Sequence, residues 1–230
     1  MSLETRLAST PRVPSRLIAL LPLERPSNWR RVAELYALAV RAHAGLESVA
    51  DVMEEGSTHR RLWVLCCVAQ GHLSVEQVAA YKGAPVGSIR NIYDRAAQFR
   101  EHSPALVRMV QERYIKGVLA LLDAWRDAVA ELNDAEPEQV FEAADLVTKF
   151  VFLAVVHGEL PIEHVAVYAG RTVDQVSNAI IECRKRCRAH FNGQPNRRVS
   201  LMQTEEIQQT RQMVRQRVTG DLAGWAVAEQ

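Results

Sequence analysis

A chain of 230 residues, 48% of them apolar and 24% charged, has the composition of an ordinary globular protein with one or two cores. No apolar run approaches the roughly 20 residues that span a bilayer, which excludes a membrane-spanning protein. The N-terminus does not resemble a signal peptide, and the four cysteines form no disulfide pattern. We therefore expect a cytoplasmic protein without a membrane partner.

Charge is distributed unevenly, although its formal sum is only +1. Residues 131–170 hold eight acidic side chains against Lys149 alone, whereas residues 171–220 hold ten basic side chains against four acidic ones. Residues 1–42 add seven arginines against three glutamates. Because a local basic face attracts a polyanion whatever the total charge, the pattern keeps nucleic acid among the candidate partners. The alternative is a solvated charged face without a partner.

Helical periodicity runs along the chain, and strand signals are nearly absent. A helix is predicted over 28–44. It is followed by the apolar helix "RRLWVLCCVAQG", the long amphipathic helix 105–132, a second apolar helix "AADLVTKFVFLAVVHG" and a final amphipathic helix within 203–228. Each apolar helix ends at a glycine, Gly71 or Gly158, which we expect to supply a left-handed cap. The predicted fold class is all-α.

Two stretches repeat without a gap: "GHLSVEQVAAYKGAPVGSIRN" at 71–91, here called the first repeat, and "GELPIEHVAVYAGRTVDQVSN" at 158–178, the second repeat. Nine of the twenty-one positions are identical. Ser-x-x-Gln from Ser74 and Thr-x-x-Gln from Thr172 are capping boxes that begin helices. Each repeat predicts a short helix, a glycine turn and a third helix, after the preceding apolar helix.

The core positions of each repeat follow from helical spacing. Gly83 and Gly170 are expected to end the short helices in a left-handed conformation. The buried side chains predicted for the short helices are Val78, Ala79 and Tyr81, matched by Val165, Ala166 and Tyr168. Those predicted for the third helices are Val86, Ile89, Tyr93 and Ala96, matched by Val173, Val176, Ile180 and Cys183.

A short helix and a third helix joined by a tight glycine turn are typical of a helix-turn-helix. In that motif the short helix braces the third, whose N-terminal side chains enter the DNA major groove. The alternative is an ordinary pair of small helices in a bundle. Two copies with matching caps and glycine turns favour the helix-turn-helix.

The segment "LPIEHVAVYAGRTVDQVSNAIIECRK" resembles the C-terminal DNA-binding domain of the bacterial replication initiator DnaA. Gly170-Arg171 and the "CRK" that begins at Cys183 match that family's pattern, whereas Ala169 stands where the family has an aromatic residue. The nucleotide-binding motif of the initiator, Gly-x-x-x-x-Gly-Lys followed by Ser or Thr, does not occur in this sequence.

The resemblance implies a duplex DNA partner. Tandem domains of this type without an ATPase look most like activators of phage-like gene clusters, such as the gene transfer agent activators of alphaproteobacteria. The head of the third helix departs from the initiator's polar Asp-His-Thr-Thr run, since it reads "PVGS" from Pro85 and "TVDQ" from Thr172. The initiator's own sequence preference is therefore not expected here.

The residues predicted to contact DNA lie on and around the two third helices: Ser88, Arg90, Asn91, Arg95, Arg171, Thr172, Gln175, Ser177, Asn178, Arg184, Lys185 and Arg188. Basic side chains are expected to contact phosphates and to supply salt-dependent affinity. Asn91 and Asn178, which both repeats share, are expected to pair with adenine in the major groove. The alternative is that these asparagines only cap or hydrogen-bond locally.

Metal, cofactor and catalytic signatures are not found. Cys183 and Cys187 lie near His190, but a single pair is too few for a structural zinc site, so neither a metal nor a cofactor is predicted. No nucleophile–base arrangement or carboxylate pair supports an enzyme.

Five segments are predicted: an N-terminal basic segment and helix (1–45), a first helix-turn-helix module (46–104), a connecting helix (105–135), a second module (136–192) and a C-terminal amphipathic helix (193–230). The predicted function is sequence-specific duplex DNA binding by a nucleoid-associated transcriptional regulator, an activator of phage-like genes. One alternative is an adaptor whose modules dock RNA polymerase or a replication initiator. Another is a modulator that competes for initiator sites. The C-terminal helix either packs on the bundle or docks RNA polymerase or a co-activator.

Overall fold

The structure, a computed structural model, describes residues 26–102, 104–191 and 204–227. Helices make up most of these residues and no strand occurs among them, which confirms the all-α prediction. Within the same residues, no helix combines the length and apolar content needed to cross a membrane. The described chain forms two compact units, one up to Gly117 and the other from Val118.

The described part of the first unit contains five helices and the start of a sixth. These are α1 (Trp29–Ala44), α2 (Val49–Val52), α3 (Thr58–Leu65, extended by a π-turn over Cys66–Gln70), α4 (Val75–Lys82), α5 (Val86–His102) and the first part of α6 (Pro104–Leu132). Helix α3 packs against both α1 and α5, and Trp63 is fully buried there. Tyr36 of α1 stacks on Tyr114 of α6 with ring centroids 4.1 Å apart.

The second unit begins inside α6, so the predicted connecting segment 105–135 lies across the division. After α6 come a 3₁₀ turn (Pro137–Phe141), α7 (Ala144–Phe152, extended by a π-turn over Leu153–His157), α8 (Ile162–Tyr168), α9 (Val173–Phe191) and α10 (Thr204–Val227). Helix α9 packs against α7 and α8, as α5 packs against α3 and α4 in the first unit.

Among the described residues, the two units follow one plan from α1 and from the second part of α6 onward. The helix that opens each unit is followed by a left-handed residue, Gly45 after α1 and Asp134 after α6. The short turn that comes next buries one valine completely, Val52 or Val140. The apolar helix with its π-turn, the short helix and the third helix then follow in the same order. The duplication therefore extends beyond the repeated sequence, and α1 corresponds to the second part of α6.

Gly71 and Gly158 follow the two π-turns, and in both places the glycine N–H donates to the first carbonyl of the turn at 2.8 Å. Their φ angles are −88° and −83°, so the left-handed caps expected at these glycines are wrong. The left-handed residues are the next ones along the chain, His72 with φ 51° and Glu159 with φ 54°.

Close packing explains both glycines. A Cβ atom on Gly71 would lie 2.9 Å from Cε2 of Tyr36. A Cβ atom on Gly158 would lie 2.6 Å from the carbonyl oxygen of Ala154 and would also collide with the indole nitrogen of Trp125. The glycines thus let the π-turn approach the first helix of each unit.

The local signals at the short and third helices are confirmed. Ser74 and Thr172 each form the predicted capping box with the glutamine three residues on: the hydroxyl oxygen accepts the glutamine N–H at 3.1 and 3.2 Å, respectively. The glutamine side-chain oxygen accepts the cap residue's N–H at 2.9 Å in both. Gly83 and Gly170 are left-handed, with φ 68° and 63°.

The buried stripe of the third helices differs from the prediction at the first pair of positions and at Tyr93, which is only partly buried, whereas its neighbour Ile92 is 9% exposed. The residues confirmed as buried are Ile89, Ala96, Val176, Ile180 and Cys183. Val86 and Val173, predicted to be core residues, are 39% and 41% exposed. Each is the first residue of its helix, and helical spacing alone does not show that this tip extends beyond the neighbouring helices.

Candidate functional site

Most residues that the two repeats share have a structural role. The buried or tightly packed pairs are Gly71 and Gly158, Leu73 and Leu160, Val78 and Val165, and Ala79 and Ala166. Gly83 and Gly170 provide the left-handed turn. Glu76 and Glu163 lie in the first turn of the short helices, where the helix dipole favours a carboxylate. Three shared pairs remain: a tyrosine, a valine and an asparagine.

The tyrosines hold each short helix against the first helix of its unit. The hydroxyl of Tyr168 donates to the carboxylate of Asp123 and accepts from Arg126 at 3.0 Å. Burial and then the hydrogen bond to Asp123 raise the pKa of Tyr168 above its ordinary value. In the first unit, burial and then the negative charge of Glu34 raise the pKa of Tyr81. Both tyrosine hydroxyls therefore stay protonated, and their role is structural.

This contact between the first helix and the short helix was not predicted, although the sequence holds a weak signal for it. An acidic residue stands two positions before an aromatic one in each first helix, Glu34 before Tyr36 and Asp123 before Trp125. The aromatic residue packs near the glycine after the π-turn, and the acidic residue faces the tyrosine. The two helices share too few other identities for the pattern to be visible without the structure.

The shared valines and asparagines lie on the outside of the third helices. Val86 and Val173 open α5 and α9 with exposed side chains. Asn91 and Asn178 are exposed as well, on the side opposite the buried isoleucines and valine of their helices. Among the described residues neither asparagine side chain has a hydrogen-bond partner, so local capping does not explain them.

The other residues predicted on α5 are exposed. Ser88, Arg90 and Arg95 all face solvent, and the guanidinium of Arg90 lies 3.8 Å from the carboxylate of Glu76. Because both partners of this ion pair are more than half exposed, Arg90 can exchange Glu76 for another anion at little cost.

Several residues that were predicted to contact DNA on and before α9 already have a hydrogen-bond or ion-pair partner within the chain. The side-chain oxygens of Thr172 and Gln175 serve the capping box, and Arg171 donates to the carbonyl oxygen of Phe141 at 3.4 Å. Lys185 bonds to Glu182 at 2.8 Å.

Three predicted contacts on α9 remain. Arg184 is exposed, Ser177 is half-buried, and the side chain of Arg188 lies outside the described residues. On the described part of α9, Arg184 and Asn178 are thus the predicted contacts that are exposed and have no hydrogen-bond or ion-pair partner among the described residues.

An open groove of about 260 Å³ lies between α7 and α9 of the second unit. Its lining residues are Ala144, Val147, Thr148, Val151, Arg171, Gln175, Val176 and Ala179. The floor is mostly apolar, and Arg171 provides the positive charge among the lining residues.

Helix α10 packs within the second unit, which is the first of the two alternatives that the sequence left open. Thr210 and Val214 are 1% and 5% exposed. Glu206 pairs with Lys149 at 2.8 Å, and Arg217 pairs with Glu131 at 2.6 Å. Glu131, which belongs to the acidic stretch 131–170, therefore neutralises one of the positive charges of α10 within the chain.

Metal ligands are not assembled in the described part of the chain, where no group of three His, Cys, Asp or Glu side chains could hold an ion. Cys183 is buried in the core. The side chains of Cys187 and His190 lie outside the described residues.

No family model, curated protein or solved structure matches the chain. Support for a functional surface therefore comes from the two copies within the molecule. Each exposes a valine at the first position of its third helix and an asparagine five residues later.

Proposed function

We propose that the protein binds duplex DNA sequence-specifically, with α4–α5 and α8–α9 acting as two helix-turn-helix modules. The observation that carries this proposal is the shared, exposed and unpartnered asparagine on the third helix of each unit, Asn91 and Asn178. The short helix, the left-handed glycine and the third helix have the order that the motif requires. In each module the short helix packs against the third helix, and a capping box begins one helix of each pair.

In this proposal α5 and α9 are the recognition helices. An asparagine side chain can donate to N7 and accept from the N6 amine of adenine, which discriminates by about 1–3 kcal/mol against the wrong base. Arg90, Arg95 and Arg184 are exposed on the same helices and supply phosphate contacts. Since Ser88 and Arg90 of α5 are replaced by Gln175 and Ser177 of α9, the two modules differ beside the asparagine.

Transcriptional activation of phage-like genes is the process we propose for this DNA binding. The support is the resemblance of the second repeat to the DNA-binding domain of the replication initiator, together with the tandem arrangement and the lack of a nucleotide-binding motif in the sequence.

The experiment is a gel retardation assay on random duplex at low and moderate salt, followed by selection of preferred sites from the pool. The wild-type protein should select a motif with two parts. Asn91→Ala should relax one part and Asn178→Ala the other, because each removes one adenine contact. Gln212→Ala, an exposed change on α10, is the matched control and should select the wild-type motif. If the wild-type protein retards no duplex at low salt, the proposal is wrong.

The rival function is an adaptor whose modules dock another protein. It is favoured by the acidic residues on the third helices, since Asp94, Asp174 and Glu182 are exposed there and oppose a DNA backbone. Retardation that is absent at low salt supports the adaptor. Retardation that weakens as salt rises supports DNA binding.

A further inference from the structure

Val86 and Val173 are the shared residues for which the fold offers no reason. The other shared pairs are buried, cap a turn, bind within the unit or, for asparagine, carry the proposed adenine contact. The valines are 39% and 41% exposed at the first position of α5 and α9. A valine that is about two-fifths exposed gains only part of the free energy of burying its side chain, and a polar residue would begin the helix equally well.

The exposure of both Val86 and Val173 is not a coincidence of two unrelated surface residues. Val167 and Ile181 are exposed to a similar degree, 48% and 47%, but the first unit has Ala80 and Asp94 at the corresponding positions. The residues next to the valines also differ, with Pro85 and Gly87 around one and Thr172 and Asp174 around the other. An exposed apolar side chain is therefore kept at this one place while its surroundings have changed.

We infer that Val86 and Val173 each contact the C5-methyl group of a thymine in the major groove. This inference rests on the proposed DNA binding. Residues at the N-terminus of a recognition helix are those that reach base edges, and both valines stand at that end. Among the base edges in the major groove, the thymine methyl is the apolar group that an aliphatic side chain can contact.

The two modules would then share two base contacts. Each third helix carries the same two groups, a valine for a thymine methyl and an asparagine for an adenine, five residues apart. The two parts of the operator should therefore contain a common core with one thymine and one adenine. They should differ where the side chains differ, as where Ser88 and Arg90 of α5 correspond to Gln175 and Ser177 of α9.

The test compares two duplexes that differ only in methyl groups. The first is a duplex selected by the wild-type protein from a random pool. The second has the same sequence with deoxyuridine in place of thymidine on both strands. The wild-type protein should bind the uracil duplex about fourfold more weakly for each of the two methyl groups that the valines contact, the factor expected for one buried carbon. This comparison requires no altered protein.

The variants Val86→Ala and Val173→Ala then show whether each valine is responsible for the weaker binding of the uracil duplex. Each should bind the thymine duplex more weakly than the wild type and should lose the preference for thymine over uracil at one part of the operator. Val167→Ala, which removes an equally exposed valine from α8, should keep the full preference. Thermal melts should show all three variants folded, because the changed side chains lie at the surface.

The possible failures are distinct. Wild-type protein that binds both duplexes equally, or valine variants that keep the thymine preference, overturns the methyl contact and leaves DNA binding standing. Wild-type protein that binds duplex without selecting a sequence overturns the methyl contact and the sequence specificity together. Wild-type protein that binds no duplex overturns both proposals.

Discussion

At the residue scale, the glycines after the π-turns are the positions where one added carbon matters most. Gly158→Ala places a methyl group against the Ala154 carbonyl and the Trp125 indole, and Gly71→Ala places one against Tyr36. We expect each change to lower the free energy of unfolding by about 1–3 kcal/mol, since overpacked sites must shift their neighbours. The measurement is urea unfolding followed by circular dichroism.

Gly87→Ala is the matched control for these substitutions. A Cβ atom there meets nothing within 4 Å, and the residue lies inside helix α5. Because glycine is a poor helix former, Gly87→Ala should raise the free energy of unfolding by roughly 1 kcal/mol. Equal effects at Gly87 and Gly158 would show that close packing is not the reason for the glycine at Gly158.

At the element scale, the docking of α10 can be followed through His157, which lies in the π-turn after α7. Its ring packs edge-on against Phe152 with centroids 5.4 Å apart. Burial and then the positive charge of Arg211 on α10 lower the pKa of His157 below its ordinary value of 6.5. The unfolded chain therefore binds a proton near pH 6.5 that the folded chain takes up only at lower pH.

We predict that the protein loses stability as the pH falls below about 6.5, because protons then favour the unfolded state. The loss should level off once the pH is below the pKa of the folded protein. Denaturant midpoints measured between pH 5 and 8 should show this loss of stability, and His157→Gln should make the loss smaller. Arg211→Gln should raise the pKa of His157 in an NMR titration, whereas Gln212→Ala, an exposed change on α10, should leave that titration unchanged. A titration unaffected by Arg211→Gln would contradict the docking of α10 beside His157.

At the scale of the whole molecule, the modest net charge means that DNA binding would depend on a few accessible cations. Arg184 is exposed, whereas Lys185 is paired with Glu182, and Arg217 is paired with Asp127 and Glu131. Replacing Arg184, Lys185 and Arg188 together with alanine should flatten the dependence of log affinity on log salt by up to about three. It should weaken binding to all duplex sequences alike.

Single variants separate the contributions. Arg184→Ala should lower the salt slope by about one, and Lys185→Ala by less, because Glu182 already neutralises Lys185. Arg217→Gln is the control, since its charge is held within the second unit, and it should leave the slope unchanged. An unchanged slope in the triple variant would show that the cluster is only a solvated face.

What the sequence determined by itself is the structure that depends on near neighbours in the chain. The capping boxes at Ser74 and Thr172 and the left-handed turns at Gly83 and Gly170 were predictable, because a cap or a positive φ is settled by residues within one turn. The exposure of Asn91 and Asn178 followed from helical spacing for the same reason.

Only the tertiary structure decided the features that depend on contacts through space. Gly71 and Gly158 looked like left-handed caps, but their role is set by Tyr36 and Trp125, which lie more than thirty residues earlier in the chain. The equivalence of α1 and the second part of α6 rests on contacts with later segments, since their aromatic residues meet the glycines after the π-turns and their acidic residues lie near Tyr81 and Tyr168. Val86 and Val173 fit the spacing of a buried stripe, yet they are exposed because no neighbouring helix covers the tip of α5 or α9 in the described residues. Periodicity shows which side of a helix a residue occupies, whereas burial depends on whether another element reaches that side.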